Sequence, residues 1–354
     1  MTALVAALTW CATAGAFGFA LLVAGWYVPI VVGGVATVVA LAASVAVRRL
    51  GTRDRGEPGT DHRGAAAAVG IVLVFFVLAG AFHSEHLLSD RDPGQYLTVG
   101  RSIARTHELK PKTRVGPFAV PSFGDPNARS EPDFFPMLPV VLAMGWSIGG
   151  DTGLLLVGPV LGALGLLAGY ALATRILGTR VALLVSMLMV IAPLQLWFAR
   201  DAYSELLVQF VVLGGLWLFL EARTRASWHV AAIAGALVAS STIARIDALA
   251  IVAGALVVVA VEWARTDTEV DPIASRRTVA AFGLALVGTT LIAMTTTFFV
   301  EHRYVTSLGT QYGLLIAEFT AAVAGVVVVA VVHRKRPGLG RGVAELRALF
   351  VAAT

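Results

Sequence analysis

The run AAAAVGIVLVFFVLAGAF, residues 65–82, contains no charged residue and no proline. At a rise of about 1.5 Å per residue it would form a helix of about 27 Å, close to the ~30 Å hydrocarbon core of a bilayer. Nine other runs share its length and apolar character, so the sequence predicts an all-α, polytopic transmembrane helical bundle. The ten predicted spans are residues 3–24, 28–47, 65–82, 153–174, 181–197, 205–221, 228–244, 248–263, 279–300 and 313–332.

The composition agrees with this fold class. Apolar residues make up 57% of the chain and charged residues 14%, whereas soluble domains are about half apolar and about a quarter charged. Cys11 is the single cysteine, so no intrachain disulfide can form. The net charge of +5 comes from arginines in short loops between apolar runs, where membrane topology explains them. We therefore expect membrane lipids, and no nucleic acid, around this chain.

The segment FFPMLPVVLAMGWSI, residues 134–148, decides the orientation, because counting it as a span inverts every later loop. If it does not cross, sixteen Lys and Arg residues lie in the short cytoplasmic loops and three in the short outer loops. If it does cross, the numbers become eight and eleven. Cytoplasmic loops carry the positive excess, and Pro136 and Pro139 also favour a short interfacial helix. We therefore predict a multi-pass plasma-membrane protein with both termini cytoplasmic.

Residues 1–354 then form a single transmembrane domain with one long extracytoplasmic loop, residues 83–152. The part at 83–132 is strongly polar. We expect interfacial helices at 93–106 and 134–149. Asp92 suits the cap of the first helix and Pro93 its first turn. Spacing at 3.6 residues per turn predicts that the helix buries its apolar positions and leaves Arg101 and Arg105 on a more polar side.

Asp90 and Asp92 form an Asp-x-Asp pair in this loop. Two chemical uses are open, since a carboxylate can act as general base on an acceptor, or the pair can bind a divalent cation such as Mg²⁺ or Mn²⁺ that neutralises a leaving phosphate. The third interpretation is structural: Asp92 only caps its helix, and Asp90 pairs with Arg91 or Arg101. We predict Asp90 and Asp92 as catalytic residues and as the candidate metal ligands.

Three further clusters of charged and aromatic residues lie at predicted outer helix ends, around residues 200–205, 245–247 and 301–304. Arginine side chains in such positions suit a phosphate or pyrophosphate. The alternative is a plain interfacial ion pair, as for Arg245 with Asp247. The residues predicted to bind substrate are Arg91, Tyr96, Arg101, Arg200, Tyr203, Glu205, Arg245, Asp247 and Arg303.

Four stretches resemble the C-type superfamily of integral-membrane glycosyltransferases, which includes protein O-mannosyltransferases and the aminoarabinose transferases of lipid A. They occur in the order found in that superfamily and cover roughly residues 65–265. The four stretches are DRDPGQY at 90–96, FFPMLP at 134–139, ARDAYSE at 199–205 and ARID at 244–247.

The resemblance implies transfer of a sugar from a polyprenyl-phosphate donor to a lipid, glycan or protein acceptor on the extracytoplasmic face. It also implies that an acidic loop residue acts as base or metal ligand. A lipid or polysaccharide transporter or flippase is the alternative class, although transporters usually carry charges inside their spans. The ending VAELRALFVAAT, residues 343–354, resembles the start of another segment, so we also consider a truncated, inactive fragment of a larger transferase.

Overall fold

The computed structural model of the chain describes residues 2–51, 62–84, 92–109, 135–265 and 271–335. Within these ranges the regular structure consists of fourteen α-helices and a one-turn 3₁₀ helix at Ser241–Ile243. The α-helices are α1 (Thr2–Val23), α2 (Pro29–Gly51), α3 (His62–Ala81), α4 (Asp92–Thr106), α5 (Met137–Leu155), α6 (Val157–Leu177), α7 (Thr179–Ile191), α8 (Pro193–Ala199), α9 (Ser204–Thr224), α10 (Trp228–Ser240), α11 (Ala248–Arg265), α12 (Pro272–Val300), α13 (His302–Ser307) and α14 (Thr310–Lys335).

The described helices confirm the all-α polytopic fold. Eight of them are long and apolar enough to cross a membrane, and a ninth span results if α7 and α8 count together. Two shorter apolar helices, Pro29–Val45 and Trp228–Ile243, coincide with two more of the predicted spans. Each of the ten predicted spans therefore corresponds to a helix. The predicted segment at 343–354 lies outside the described residues.

The span predicted at 181–197 consists of two helices rather than one. Between α7 and α8 the axis bends by 66°. Ala192 is extended (φ −67°, ψ 119°) and Pro193 begins the next helix. The bend has a local cause, because proline has no backbone N–H to donate and disfavours helical geometry in the residue before it. As a result α8 leaves the direction of α7 shortly before the outer cluster at residues 200–205.

Helix α9 lies at the centre of the bundle, and 72% of its most apolar window is buried. It packs against α6 and α10, and more lightly against α1. Small residues allow these close approaches: a Cβ on Gly214 would collide with Leu8 of α1, and one on Gly215 would lie 2.7 Å from Val238 of α10. At the other extreme α14 packs mainly on α11 and is largely exposed. The bundle thus fixes the position where α9 begins.

Helix α4 is amphipathic, as the spacing predicts. Tyr96, Leu97, Gly100, Ile103 and Ala104 are buried, whereas Arg101 is half-buried and Arg105 is exposed. The buried side lies on α5, where a Cβ on Gly100 would come within 2.7 Å of the Leu142 side chain and 3.3 Å of the Pro139 carbonyl oxygen. Helix α4 spans Asp92–Thr106, and its position at the membrane interface stays a prediction.

By length and composition alone α5 also qualifies as a span. However, the chain reverses direction at a break inside this helix. Gly149 and Gly150 are non-helical, and Gly150 has φ 59°. A Cβ on Gly145 would lie 2.7 Å from the carbonyl oxygen of Gly153, although in a straight helix eight residues span about 12 Å. The part before the reversal is therefore about 18 Å long, short of the ~30 Å core. This geometry supports a segment that does not cross, and the orientation stays a prediction.

Candidate functional site

Tyr96 of α4 joins the polar loop to the bundle. Its ring is buried, and its hydroxyl lies 3.3 Å from the hydroxyl of Ser204. Ser204 is the first residue of α9 and is fully buried. Because α4 is held on α5 by close packing at Gly100, the Tyr96 hydroxyl has a fixed position over the N-terminus of α9.

Arg245 holds the centre of the site. It follows the 3₁₀ turn at Ser241–Ile243, which interrupts the helical path between α10 and α11. Its Nε and Nη2 donate to the two carboxylate oxygens of Asp247 at 2.8 and 2.9 Å. Its Nη1 lies 2.6 Å from Oε1 of Glu205 and donates to Ser204 at 3.3 Å. The stretches at residues 199–205 and 244–247 are therefore bonded to each other, and through Ser204 to Tyr96.

The electrostatics of this group follow from its burial and its acids. Burial raises the pKa of the Tyr96 hydroxyl to about 12, and the charges of Asp92 and Glu205 act in the same direction, against the Ser204 hydrogen bond and Arg245. The hydrogen bond to Asp247 raises the pKa of Arg245, helped by Glu205 and opposed by burial. Tyr96 thus stays a hydroxyl at neutral pH, and Arg245 stays a cation.

Among the described residues, Glu205 and Asp247 pair with one arginine and Asp92 adds a further carboxylate whose charge acts on Tyr96, so their formal charge is negative. The Oε2 atom of Glu205 is buried and has no hydrogen-bond partner within the described part of the chain. Asp92 begins α4 with an exposed side chain. A negative group with accessible carboxylate oxygens is suited to accept a proton or to contact a cation.

Arg200 has a different environment. Its Nε donates to the carbonyl oxygen of Phe82, and its own carbonyl accepts from the Ser84 backbone N–H at 2.6 Å. These two bonds tie the end of α8 to the end of α3, where the polar loop leaves the bundle. Within the described residues its terminal nitrogens have no carboxylate partner. Among the described residues, Arg200 would lose no ion pair by taking an anionic ligand.

Some of the predicted site residues contact one another in the structure, and others do not. Tyr96, Glu205, Arg245 and Asp247 form one hydrogen-bonded and ion-paired group, and Asp92 acts on it through its charge. Tyr203 packs on Phe198 at 4.8 Å between ring centres. Arg101 pairs with Asp151 at 2.7 Å on an exposed surface. Asp90, Arg91 and the side chain of Arg303 lie outside the described part of the structure.

Ser204 is the residue of the group that the sequence reasoning missed. Ser204 lies between Tyr203 and Glu205 at the start of an apolar run. A serine there is typical of the start of a helix, and this pattern could have identified it from the sequence. Among the described residues no three His, Cys, Asp or Glu side chains lie close enough together to hold a metal ion. A cation site on Asp90 and Asp92 would need the undescribed Asp90, so it stays a prediction.

Comparison with solved structures identifies the fold. Two structures of the oligosaccharyltransferase AglB from Archaeoglobus fulgidus superpose on 83% and 84% of this chain, with TM-scores of 0.52 and 0.53 and 15% sequence identity. One holds a tethered acceptor peptide, and the other an inhibitory peptide and a dolichol-phosphate. This chain spans 38% of the length of those proteins.

No known family profile matches the sequence, and neither does any curated protein. The likeness is therefore one of fold, carried by the helix arrangement. The fold is the one that this chain shares with the two oligosaccharyltransferase structures. The chain is a membrane protein with this fold.

Proposed function

We propose that this chain carries the active site of a membrane glycosyltransferase, which moves a sugar from a polyprenyl-phosphate donor to an acceptor on the extracytoplasmic face. The observation that carries the proposal is the joining of α4, the start of α9 and the turn before α11 through Tyr96, Ser204, Glu205 and Arg245. The likeness of the fold to a glycan-transferring enzyme supports the same class.

The carboxylates of the group are suited to take a proton from the acceptor. In a single displacement the acceptor hydroxyl or amine gives its proton to a carboxylate while its oxygen or nitrogen bonds to the anomeric carbon. Asp92 is the described carboxylate that is exposed at the start of α4, and Asp90 is its predicted partner. If a divalent cation takes part, Asp90 and Asp92 would hold it and it would neutralise charge on the leaving phosphate.

The arginines near the group are suited to bind the phosphate of the donor. As the bond between the anomeric carbon and the phosphate oxygen breaks, its electron pair stays on the phosphate, which gains negative charge. Arg200 is the better candidate to stabilise that charge, because Arg245 already bonds to Glu205 and Asp247. Arg91, Arg101 and Arg303 stay predicted donor contacts. Glu318 excepted, the charged residues of the described spans lie near helix ends, which favours a surface site over a transport path.

Substitution of the two acids is the direct experiment. We expect Asp92→Asn and Asp90→Asn each to lower sugar transfer by about 100-fold or more if the residue is the base, measured on the purified chain with a panel of polyprenyl-phosphate sugars. Glu108→Gln is the matched control, since Glu108 is an exposed acid beyond the end of α4 and outside the group. Full activity in both folded aspartate variants would refute the assignment.

A further inference from the structure

Glu318 differs from the other charged residues of the described spans because it lies far from both ends of its helix. Helix α14 has 26 residues, so it is about 39 Å long. Glu318 is its ninth residue, about 12 Å from one end and about 25 Å from the other. The carboxyl group is therefore at hydrocarbon depth, where an ionisable side chain is costly and usually serves a function.

Helix α14 is also the least covered of the described candidate spans. Only 6% of its most apolar window is buried, against 28% or more in the other seven. Its buried side includes Phe319, and α11 is its main neighbour. Glu318 is exposed, and its side chain has no hydrogen-bond or ion-pair partner among the described residues. A polar partner for this carboxyl group would therefore have to come from outside the described bundle.

Small residues recur at every fourth position of α14, on the side opposite Phe319. At about 100° per residue, Glu318 borders this side. A Cβ on Gly313 or Gly325 would meet no atom within 4 Å, so neither glycine makes room for another helix of the bundle. Small residues at this spacing let two membrane helices approach closely. The stripe consists of the exposed residues Gly313, Ala317, Ala321 and Gly325.

We propose that this face of α14 is a dimer interface with a second copy of the chain, in which the stripes touch and the two Glu318 side chains bond to each other. A carboxyl group in its acid form both donates and accepts a hydrogen bond. Two such groups related by a twofold axis therefore satisfy each other, as a self-complementary interface requires. Two copies in one membrane also have the same orientation, so their stripes meet at the same depth. The dimer does not depend on the proposed function.

Cysteine crosslinking of the full chain in membranes tests the interface, with Cys11→Ser as background because Cys11 is the single cysteine. Ala317→Cys and Ala321→Cys place thiols on the stripe and should form disulfide-linked dimers under mild oxidation at low protein density. Val327→Cys is the matched control, since Val327 is 56% exposed and points away from the stripe at its level of the helix. We expect its yield to be about a tenth of theirs or less. Equal yields at all three positions would indicate random collision and overturn the interface.

The role of Glu318 is tested in the Ala317→Cys background. Glu318→Leu should lower the dimer yield about tenfold or more, whereas Glu318→Gln should keep most of it, because an amide also donates and accepts. Gln311→Leu is the control, as Gln311 is an exposed polar residue in the first turn of α14, and it should leave the yield unchanged. An unchanged yield for Glu318→Leu would overturn the pairing of the carboxyl groups. Crosslinks to a different membrane protein alone would overturn the dimer.

Discussion

At the scale of single residues, Arg245 explains why the outer stretches meet. Its guanidinium contacts Glu205, Asp247 and Ser204, and its side chain is 28% exposed against 33% for Glu205 and 59% for Asp247. An exposed ion pair contributes little, whereas removing one partner of a buried pair leaves an uncompensated charge. The bond to Glu205 should therefore matter more for stability than the bond to Asp247.

We predict that Arg245→Gln lowers the free energy of unfolding by about 1–2 kcal/mol and that Asp247→Asn lowers it by less than about 0.5 kcal/mol. Thermal unfolding of the purified variants in one detergent gives the comparison. Adding Glu205→Gln to Arg245→Gln should restore part of the loss, because the unpaired, half-buried charge of Glu205 is then gone. An equal loss for Asp247→Asn and Arg245→Gln would contradict this view of the group.

The sequence could identify most of these residues but not their pairing. Arg245 and Asp247 follow an apolar run, Glu205 begins one, and Tyr96 lies in the polar loop, all of which is readable from hydropathy. Tyr96 and Ser204, however, are 108 residues apart along the chain, and their contact depends on how α4 packs on α5. Helix packing is set by side-chain shape, such as the gap at Gly100, which residue spacing does not reveal.

At the scale of helices, the bend between α7 and α8 is stabilised by an amide pair. Gln195 of α8 and Gln209 of α9 donate to each other's carbonyl oxygens, both at 3.1 Å. Gly165 of α6 leaves space for Gln209, since a Cβ there would lie 3.1 Å from its Oε1. The pair therefore links α8 to α9, with Gly165 of α6 lying against it.

We predict that Gln195→Leu and Gln209→Leu each reduce stability by about 1 kcal/mol, because each leaves one amide without its partner. Their coupling in a double-mutant cycle should be roughly 0.6–1.7 kcal/mol, the range measured for hydrogen bonds between membrane helices. Gln311→Leu, at an exposed position in the first turn of α14, should have little effect. Strictly additive losses at 195 and 209 would show that the pair does not contribute.

Pro193 could have indicated this bend from the sequence. The continuous apolar composition of residues 181–197 predicted one uninterrupted span instead. The reversal in α5 had similar signals in Pro136, Pro139 and the Gly149-Gly150 pair. The apolar composition of a segment indicates whether it favours lipid. Because composition is an average over the whole segment, it does not show the one or two residues at which the helix axis changes direction. Spans were therefore predictable from the sequence, whereas their internal breaks needed backbone geometry.

At the scale of the whole molecule, the predicted orientation depends on whether α5, the helix before α6, crosses the membrane. If α5 does not cross, the loop containing Glu108 and the end of α9 at Thr224 lie on opposite sides of the membrane. If α5 crosses, every later helix is inverted and the two positions lie on the same side. The positive-inside arithmetic favours the first arrangement, and so does the close approach of Gly145 and Gly153.

Cysteine labelling can decide this, because Cys11 is the chain's single cysteine and is buried. In a Cys11→Ser background, we predict that Glu108→Cys reacts with a membrane-impermeant maleimide in intact cells. Thr224→Cys should react only after permeabilisation, since both positions are exposed and the predicted topology places them on opposite faces. Labelling of both from outside would mean that α5 spans the membrane. Tyr96 would still lie outside, but the beginning of α9 would then be cytoplasmic, which the hydrogen bond between Tyr96 and Ser204 does not allow.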